Sequence, residues 1–431
     1  MATRTAPRSW LGELAHSGVL PGIMLVLATL AALAAANSPF GVEFLHFFEQ
    51  GLSVRLGDHV LDKHVSHWIN DGLMVLFFFF VGLEIKHEIV DGQLQSMRAA
   101  ALPVAAALGG MIVPAGLFAL VAFVSGEPAA ARGFGIPMAT DIAFALGLLS
   151  VLGKRVPMAL KVFLATLAIV DDLGAVLVIA VFYTDAIEWH FLAIGLVLVV
   201  CSYALNRLGV RRTSPYAILG LAIWFLFLES GVHATIAGVA LAFTIPARRK
   251  LDEHQFTAKA RLLLDEFDNR SDPTPRTNDE QLHAVHQLTV HCLDVQAPLQ
   301  RMEHALSPWI GYAIVPLFAL SNAGVDLSAG LAATFSTTAA QGVAVGLLLG
   351  KPIGVFSATW FASKLLRTGL PEGVTWRHLH GAAWLAGVGF TMSLFVNELA
   401  FGNVPASYRA AKVAVLAAST AAAAIGMTLL L

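Results

Sequence analysis

A chain of 431 residues that is 57% hydrophobic and 13% charged, with a mean hydropathy of +0.72, carries too much apolar surface for a water-soluble fold. Its 27 Lys and Arg balance 29 Asp and Glu to a formal net charge of −2, and no basic block interleaved with aromatics occurs, which argues against nucleic acid as a partner. Cys201 falls in an apolar stretch and Cys292 in a polar one, offering neither a disulfide framework nor a metal-ligand spacing.

Apolar runs of roughly 20 residues, the length that crosses ~30 Å of hydrocarbon, occur twelve times. They lie near 18–36, 67–85, 99–124, 133–151, 156–182, 189–206, 214–228, 231–247, 306–324, 337–361, 380–400 and 408–431. The expectation is an all-α polytopic membrane protein with twelve transmembrane helices, forming a single domain over 1–431.

The first run follows Arg4 and Arg8 and ends in Ala34 to Ala36, so a cleaved signal peptide is its alternative; the run is long for that. Next, Leu52-Ser-Val-Arg-Leu-Gly-Asp-His-Val-Leu61 alternates apolar and polar residues around Gly57-Asp58, which predicts an external β-hairpin at about 52–61. Its edge either pairs with a second subunit or packs on its own protein. Asn70 and Asp71 open the second run, with Asp71 read as a helix cap.

In the fourth run Gly133, Gly135 and Pro137 spoil the first half, so a helix restarting after Pro137 places Asp141 in its first turn, at a positive helix end. The fifth run carries Asp171 and Asp172 near its middle, and the tenth carries Lys351. Only Glu229 and Ser230 separate 214–228 from 231–247. The polar stretch at about 247–305 reads as a cytoplasmic loop, partly helical at most. The eleventh run is broken at Gly387-Val-Gly-Phe-Thr-Met-Ser393, as the fourth is at Pro137. Spans seven apart cross in opposite directions, so the two breaks point to an inverted-repeat transporter whose site lies where the broken helices meet; independent glycine-rich helix contacts are the alternative.

Orientation follows from Lys and Arg placement. With the N-terminus inside, the inner loops collect Lys86, Arg98, Arg211, Arg212, Arg248, Arg249, Lys250 and Arg377 among others, while the outer side holds little beyond Arg55, Lys63, Arg132 and Arg409. Both termini are expected in the cytoplasm.

Asp141, Asp171, Asp172 and Lys351 sit in apolar runs with no route to snorkel. Each costs about 3 kcal/mol on the lenient insertion scale, roughly 12 kcal/mol together, which implies a purpose. Adjacent helix positions point about 100° apart, so one of the paired carboxylates faces a cavity while the other meets a neighbouring helix, where Lys351 is the obvious counter-charge. A buried pair that merely fixes packing leaves the second carboxylate unexplained.

Five segments carry a family likeness: Ala139-Thr-Asp-Ile-Ala-Phe-Ala-Leu-Gly147, Leu167-Ala-Ile-Val-Asp-Asp-Leu-Gly-Ala175, Ser230-Gly-Val-His-Ala-Thr-Ile-Ala-Gly238, Pro316-Leu-Phe-Ala-Leu-Ser-Asn-Ala-Gly-Val325 and Gly350-Lys-Pro-Ile-Gly354. In order, they resemble the NhaA family of bacterial sodium/proton antiporters from about Gly18 to Leu430. That family is itself a type example of the inverted-repeat architecture, so the repeat pattern is not independent support.

The resemblance implies a homodimer in the bacterial inner membrane, surrounded by lipid, with two crossed broken helices. It implies exchange of two protons for one Na⁺ or Li⁺, with no cofactor. By matching motif, Asp171 and Asp172 would form the ion and proton site, Lys351 would pair with Asp171, and Thr140 and Asp141 would sit at the crossing. Glu84, Glu88, His233 and Glu303 would match positions linked to pH response. Glu84, Glu88 and Glu303 also admit a plain solvated role near helix ends, and His233 that of a satisfied histidine at a helix start. The chain departs from the family at His87, where a basic Arg is expected, and in the longer loop before Arg301.

Na⁺ prefers oxygen ligands, which Asp172 and Thr140 supply, and protons compete for the same carboxylate. If the site never crosses empty, competition alone yields antiport. Two rivals remain. A proton-coupled carrier of an organic substrate calls for a roomier site with aromatic or Arg anchors, which the segments around the aspartates lack. An intramembrane aspartyl protease needs two catalytic aspartates, for which Asp141 with Asp171 or Asp172 qualify, but Lys351 would neutralise one and no Gly-x-Gly-Asp segment is present.

Overall fold

The computed structural model describes residues 19–56, 59–184, 186–269, 277–328 and 330–431. Helix α1 (Val19–Ala36) turns sharply into α2 (Gly41–Glu49), a bend of 113°. A Cβ at Gly41 would strike the Ala36 carbonyl, so the turn admits only glycine. Strands β1 (Gly51–Leu56) and β2 (His59–His64) then pair antiparallel, Val54 opposite Leu61, in keeping with the alternation. The expected turn at Gly57 and Asp58 lies outside the described residues. The Trp68 indole N–H donates to the Leu52 carbonyl (2.9 Å) and ties the hairpin to the following turn, leaving Leu52 and Val54 exposed.

A wide π-type turn, Trp68–Leu73, leads into α3 (Met74–Val90). Asp71 lies inside this turn rather than capping a helix, contrary to expectation; its carbonyl accepts from the Trp224 indole (3.0 Å). Then come α4 (Met97–Val124), the 3₁₀ segment Pro128–Met138, α5 (Ile142–Val151), α6 (Met158–Phe182), α7 (Trp189–Arg207), α8 (Ser214–Glu229) and α9 (Ala234–Thr244).

The stretch read as a loop is mostly helical, a correction to the expectation: α10 (Glu253–Asn269) and α11 (Asp279–Asp294) occupy it. Asn278 and Gln281 form a capping box that starts α11, a local signal present in the sequence but outweighed by the segment's polarity. The insert closes on itself at its base, where the Lys250 and Leu251 amides donate to the Asp294 carbonyl (3.0 and 3.1 Å). Beyond it lie α12 (Pro298–Asn322), α13 (Thr338–Leu365), α14 (Trp376–Ala386), α15 (Phe390–Phe401) and α16 (Pro405–Leu430).

Among the described residues six helices are long and apolar enough to cross a membrane, or nine spans if each bent pair counts as one, against the twelve runs of the sequence. The difference has a geometric cause. Helix α9 has 11 residues, about 17 Å at 1.5 Å per residue, well short of ~30 Å of hydrocarbon. Helix α8 has 16 residues, and α3 carries Glu84, Lys86 and Glu88 in its last turns.

Two packing features set up the site. Phe78 of α3 and Phe318 of α12 both meet Phe395 of α15, with ring centroids 5.4 and 6.3 Å apart, fully buried. In α13, Gly346, Gly350 and Gly354 recur every four residues and form one stripe. Side chains there would run into Pro137, Pro114 and the Gly109 carbonyl respectively, so their absence lets α13 lie directly on α4 and on the 3₁₀ segment.

Candidate functional site

Two of the three bent pairs, those of the fourth and eleventh runs, turn against one another. The 3₁₀ segment ends at Met138 and α5 begins at Ile142, bent by 44°; α14 ends at Ala386 and α15 begins at Phe390, bent by 41°. Each break strands backbone groups that a membrane interior cannot hydrate, and the two breaks satisfy one another. The Asp141 amide donates to the Val388 carbonyl (2.8 Å), the Thr140 hydroxyl to the Ala386 carbonyl (2.8 Å), and the Ser393 hydroxyl to the Ile136 carbonyl (2.6 Å).

Asp141 is the N-cap of α5. Its Oδ1 accepts from the Phe144 amide (2.9 Å), and its Oδ2 accepts from the Thr391 hydroxyl (2.6 Å) and amide (3.2 Å). One carboxylate thus serves the first turns of two helices, in line with the expected positive helix end. Its partner Thr391 was not identified from the sequence, because only the tertiary crossing brings residues 250 positions apart together.

Asp171 and Asp172 project from α6, and Lys351 from α13 just after the wide turn Gly346–Gly350. All three are fully buried. Lys351 Nζ donates to Asp171 Oδ2 at 2.5 Å and also to the Met138 carbonyl at the end of the 3₁₀ segment. The ammonium is therefore held between the helix of the acids and the break. Thr140 lies beside Asp171.

Asp172 differs from its neighbours: among the described residues neither of its carboxylate oxygens has a hydrogen-bond partner, and Asp171 Oδ1 has none either. With Asp141, Asp171 and Asp172 set against Lys351, ionising all three acids would leave two uncompensated negative charges in a medium that does not tolerate them. A proton or a small cation has to neutralise them. Among the described residues no group of three or more His, Cys, Asp or Glu forms a ligand cage for a resident metal.

The residues matched to pH response fall into two places. Glu84, Glu88 and Glu303 gather at the end of α3 beside α12, close enough to act on one another electrostatically. His87 Nδ1 lies 3.0 Å from Glu303 Oε2, Glu88 Oε2 accepts from the Gln93 amide (2.8 Å), and Lys86 donates to the Phe243 carbonyl (2.7 Å) and to that of Ile245 at the end of α9. His87 is thus a direct partner of Glu303. His233 stands apart at the start of α9, with Nε2 2.7 Å from the Tyr183 carbonyl.

The sequence reading also passed over Lys412, whose ammonium is buried 4.4 Å over the Tyr408 ring. It lies within two turns of the start of α16, where a lysine looks free to reach water.

Comparison with known proteins bears on this arrangement. Residues 13–430 match the family model described as Na+/H+ antiporter 1. The chain is 49% identical to the Na(+)/H(+) antiporter NhaA of Oleidesulfovibrio alaskensis, over 92% of this chain and 88% of that one. It is 46% identical to that of Wolinella succinogenes, over 95% and 90%, and 42% identical to that of Vibrio parahaemolyticus, over 95% and 94%. A match of this length and identity, on a chain whose broken helices cross beside a buried Asp–Lys pair, places the protein in the Na+/H+ antiporter 1 family.

Proposed function

We propose that the protein is an electrogenic, pH-regulated Na⁺/H⁺ antiporter that expels Na⁺ or Li⁺ in exchange for two protons, a secondary transporter rather than an enzyme. The observation that carries the site assignment is Asp172, buried with both oxygens unpartnered among the described residues, beside an acid already paired with Lys351. Asp172, with Asp171 Oδ1 and Thr140, offers the hard oxygen ligands that Na⁺ takes. Protons compete for the same oxygens, so loading one ion releases the other. The second proton resides on the Asp171–Lys351 pair, which titrates as a unit. Two protons against one Na⁺ carry one net charge inward, worth about 2.3 kcal/mol per 100 mV.

On this reading the nine spans, with α8, α9 and the segment from Trp68 to Val90, make up the twelve of an inverted-repeat transporter with both termini in the cytoplasm of a bacterial cell. The Glu84, Glu88, His87 and Glu303 cluster supplies the pH response, and the hairpin joins two copies into a homodimer. No cofactor is involved. The commitment of Asp141 to two helix starts disfavours a protease that needs it free.

The test is a proton gradient imposed across everted vesicles and challenged in turn with Na⁺, Li⁺ and K⁺. Collapse by Na⁺ and Li⁺ but not by K⁺ is expected; indifference to Na⁺ refutes the assignment.

A further inference from the structure

At the end of the molecule where α4 and α6 begin, a cavity of about 490 Å³ opens between them and the α13–α14 connection, a size typical of small-molecule sites. Gln93 and Arg98 beside the start of α4 and Thr368 of the connection give it a polar side, while Leu102, Pro103, Val162 and Phe163, one turn further into the helices, are apolar. Along α6 the wall runs from Met158 to Thr166, about 12 Å at 1.5 Å per residue. The Thr166 hydroxyl already donates to the Val162 carbonyl (3.0 Å). Arg98 is the one charged residue in the lining, so nothing there neutralises it.

The Thr368 hydroxyl is shut off from solvent with no partner among the described residues. It follows Arg367, whose φ of +51° is the one left-handed backbone bearing a side chain among the described residues, and its amide is fixed on the Ser363 carbonyl (3.1 Å). Neither Ser96 nor Pro157, the N-cap residues of α4 and α6, caps with its side chain, and the first-turn residues Ala99, Met158 and Ala159 line the cavity. Two positive helix ends, an unneutralised guanidinium and an unpartnered hydroxyl suit one anionic group, and the apolar wall beyond them suits a hydrocarbon tail.

We infer that this cavity binds a single-chain amphiphile with one carboxylate head, the chemistry of a long-chain fatty acid. One arginine balances one negative charge, and a space of this size suits one hydrocarbon chain rather than a two-chain lipid. Helix α6 carries Asp171 and Asp172, and the α13–α14 connection joins the helix of Lys351 to a broken one, so an occupant would brace both sides of the buried ion pair. Binding is measured without transport, so its failure is distinct from failure of the antiport assignment.

The experiment exposes the full-length protein, in lipid-depleted neutral-detergent micelles, to a diazirine-bearing palmitate and locates the photolabelled peptides by mass spectrometry. Saturable labelling within residues 98–103 and 158–166 is expected, displaced by palmitate and not by hexadecanol. Affinity should fall tenfold or more in Arg98→Gln, since a hydrogen bond to a charged group is worth at least that factor. Arg261→Gln, on α10, should leave it unchanged. Ala99→Lys adds a second cation to the lining and should bind more tightly, a gain that misfolding cannot produce. Absence of saturable labelling, parental affinity in Arg98→Gln, or no gain in Ala99→Lys overturns the site. Displacement by hexadecanol as well as by palmitate overturns the anionic head, and displacement by dioleoylphosphatidylglycerol alone overturns the single-chain ligand.

Discussion

Neither oxygen of Asp172 meets a donor among the described residues, although Asp172 is only 1% exposed. A polar group in that position contributes nothing to stability, so its value lies in what it binds. Asp172→Asn keeps the shape and removes the charge; we expect Na⁺-dependent proton exchange in vesicles to fall to background while the protein folds normally. Exchange near that of the unaltered protein would end the assignment. Lys351 is a different case, because removing it leaves Asp171 buried without its counter-charge. Breaking such a pair costs about 3–5 kcal/mol, whereas Lys351→Arg retains the charge in a planar head. The melting temperature in detergent should therefore fall further for Lys351→Ala than for Lys351→Arg, and equal values would mean that the pair stabilises nothing. The four membrane charges were legible because each interrupts an apolar run. Thr391 and Ser393 were not, because a hydroxyl is cheap to bury and is informative only once its acceptor on the other broken helix is known.

At the scale of elements, the breaks were readable from Gly and Pro content, and Asp141 stands at the restart of its helix as expected. The glycine stripe of α13 was not read, yet it decides how close Lys351 comes to the 3₁₀ segment and to α6. Gly354→Val would drive a side chain into the Gly109 carbonyl. We expect about 1–3 kcal/mol of destabilisation from overpacking, with a larger loss of exchange because Lys351 is displaced from Met138 and Asp171. Gly116→Ala in α4, with nothing within 4 Å of the added carbon, is the control and should melt like the parent. If both variants transport normally, close approach of α4 and α13 does not position the site. The α10–α11 pair was underestimated because helices that pack on one another over water resemble a polar loop in hydropathy.

For the whole molecule, every charge in the proposed site comes from one chain, so assembly and transport are separable. The hairpin carries an exposed edge with Leu52 and Val54 uncovered, and joining two such edges would satisfy backbone groups across a two-fold axis. Deleting residues 54 to 60 should shift dimers toward monomers by light scattering in detergent and leave vesicle exchange largely intact. A fully dimeric deletion variant would refute the interface, and a monomeric variant without exchange would refute the independence of the subunits.

What the sequence determined alone is what depends on local pattern: membrane residence, from runs too apolar for water; the hairpin, from alternation; the helix breaks, from glycine and proline; and the identity of the costly charges. The tertiary structure decided which backbone groups close the two breaks and that His87 faces Glu303, and it holds Lys351 on Asp171, the acid that the family resemblance, not the local pattern, implied. Those contacts join residues 180, 246 and 216 positions apart. No periodicity reaches that far: the pairing is set by how glycine contacts and aromatic packing bring the helices together.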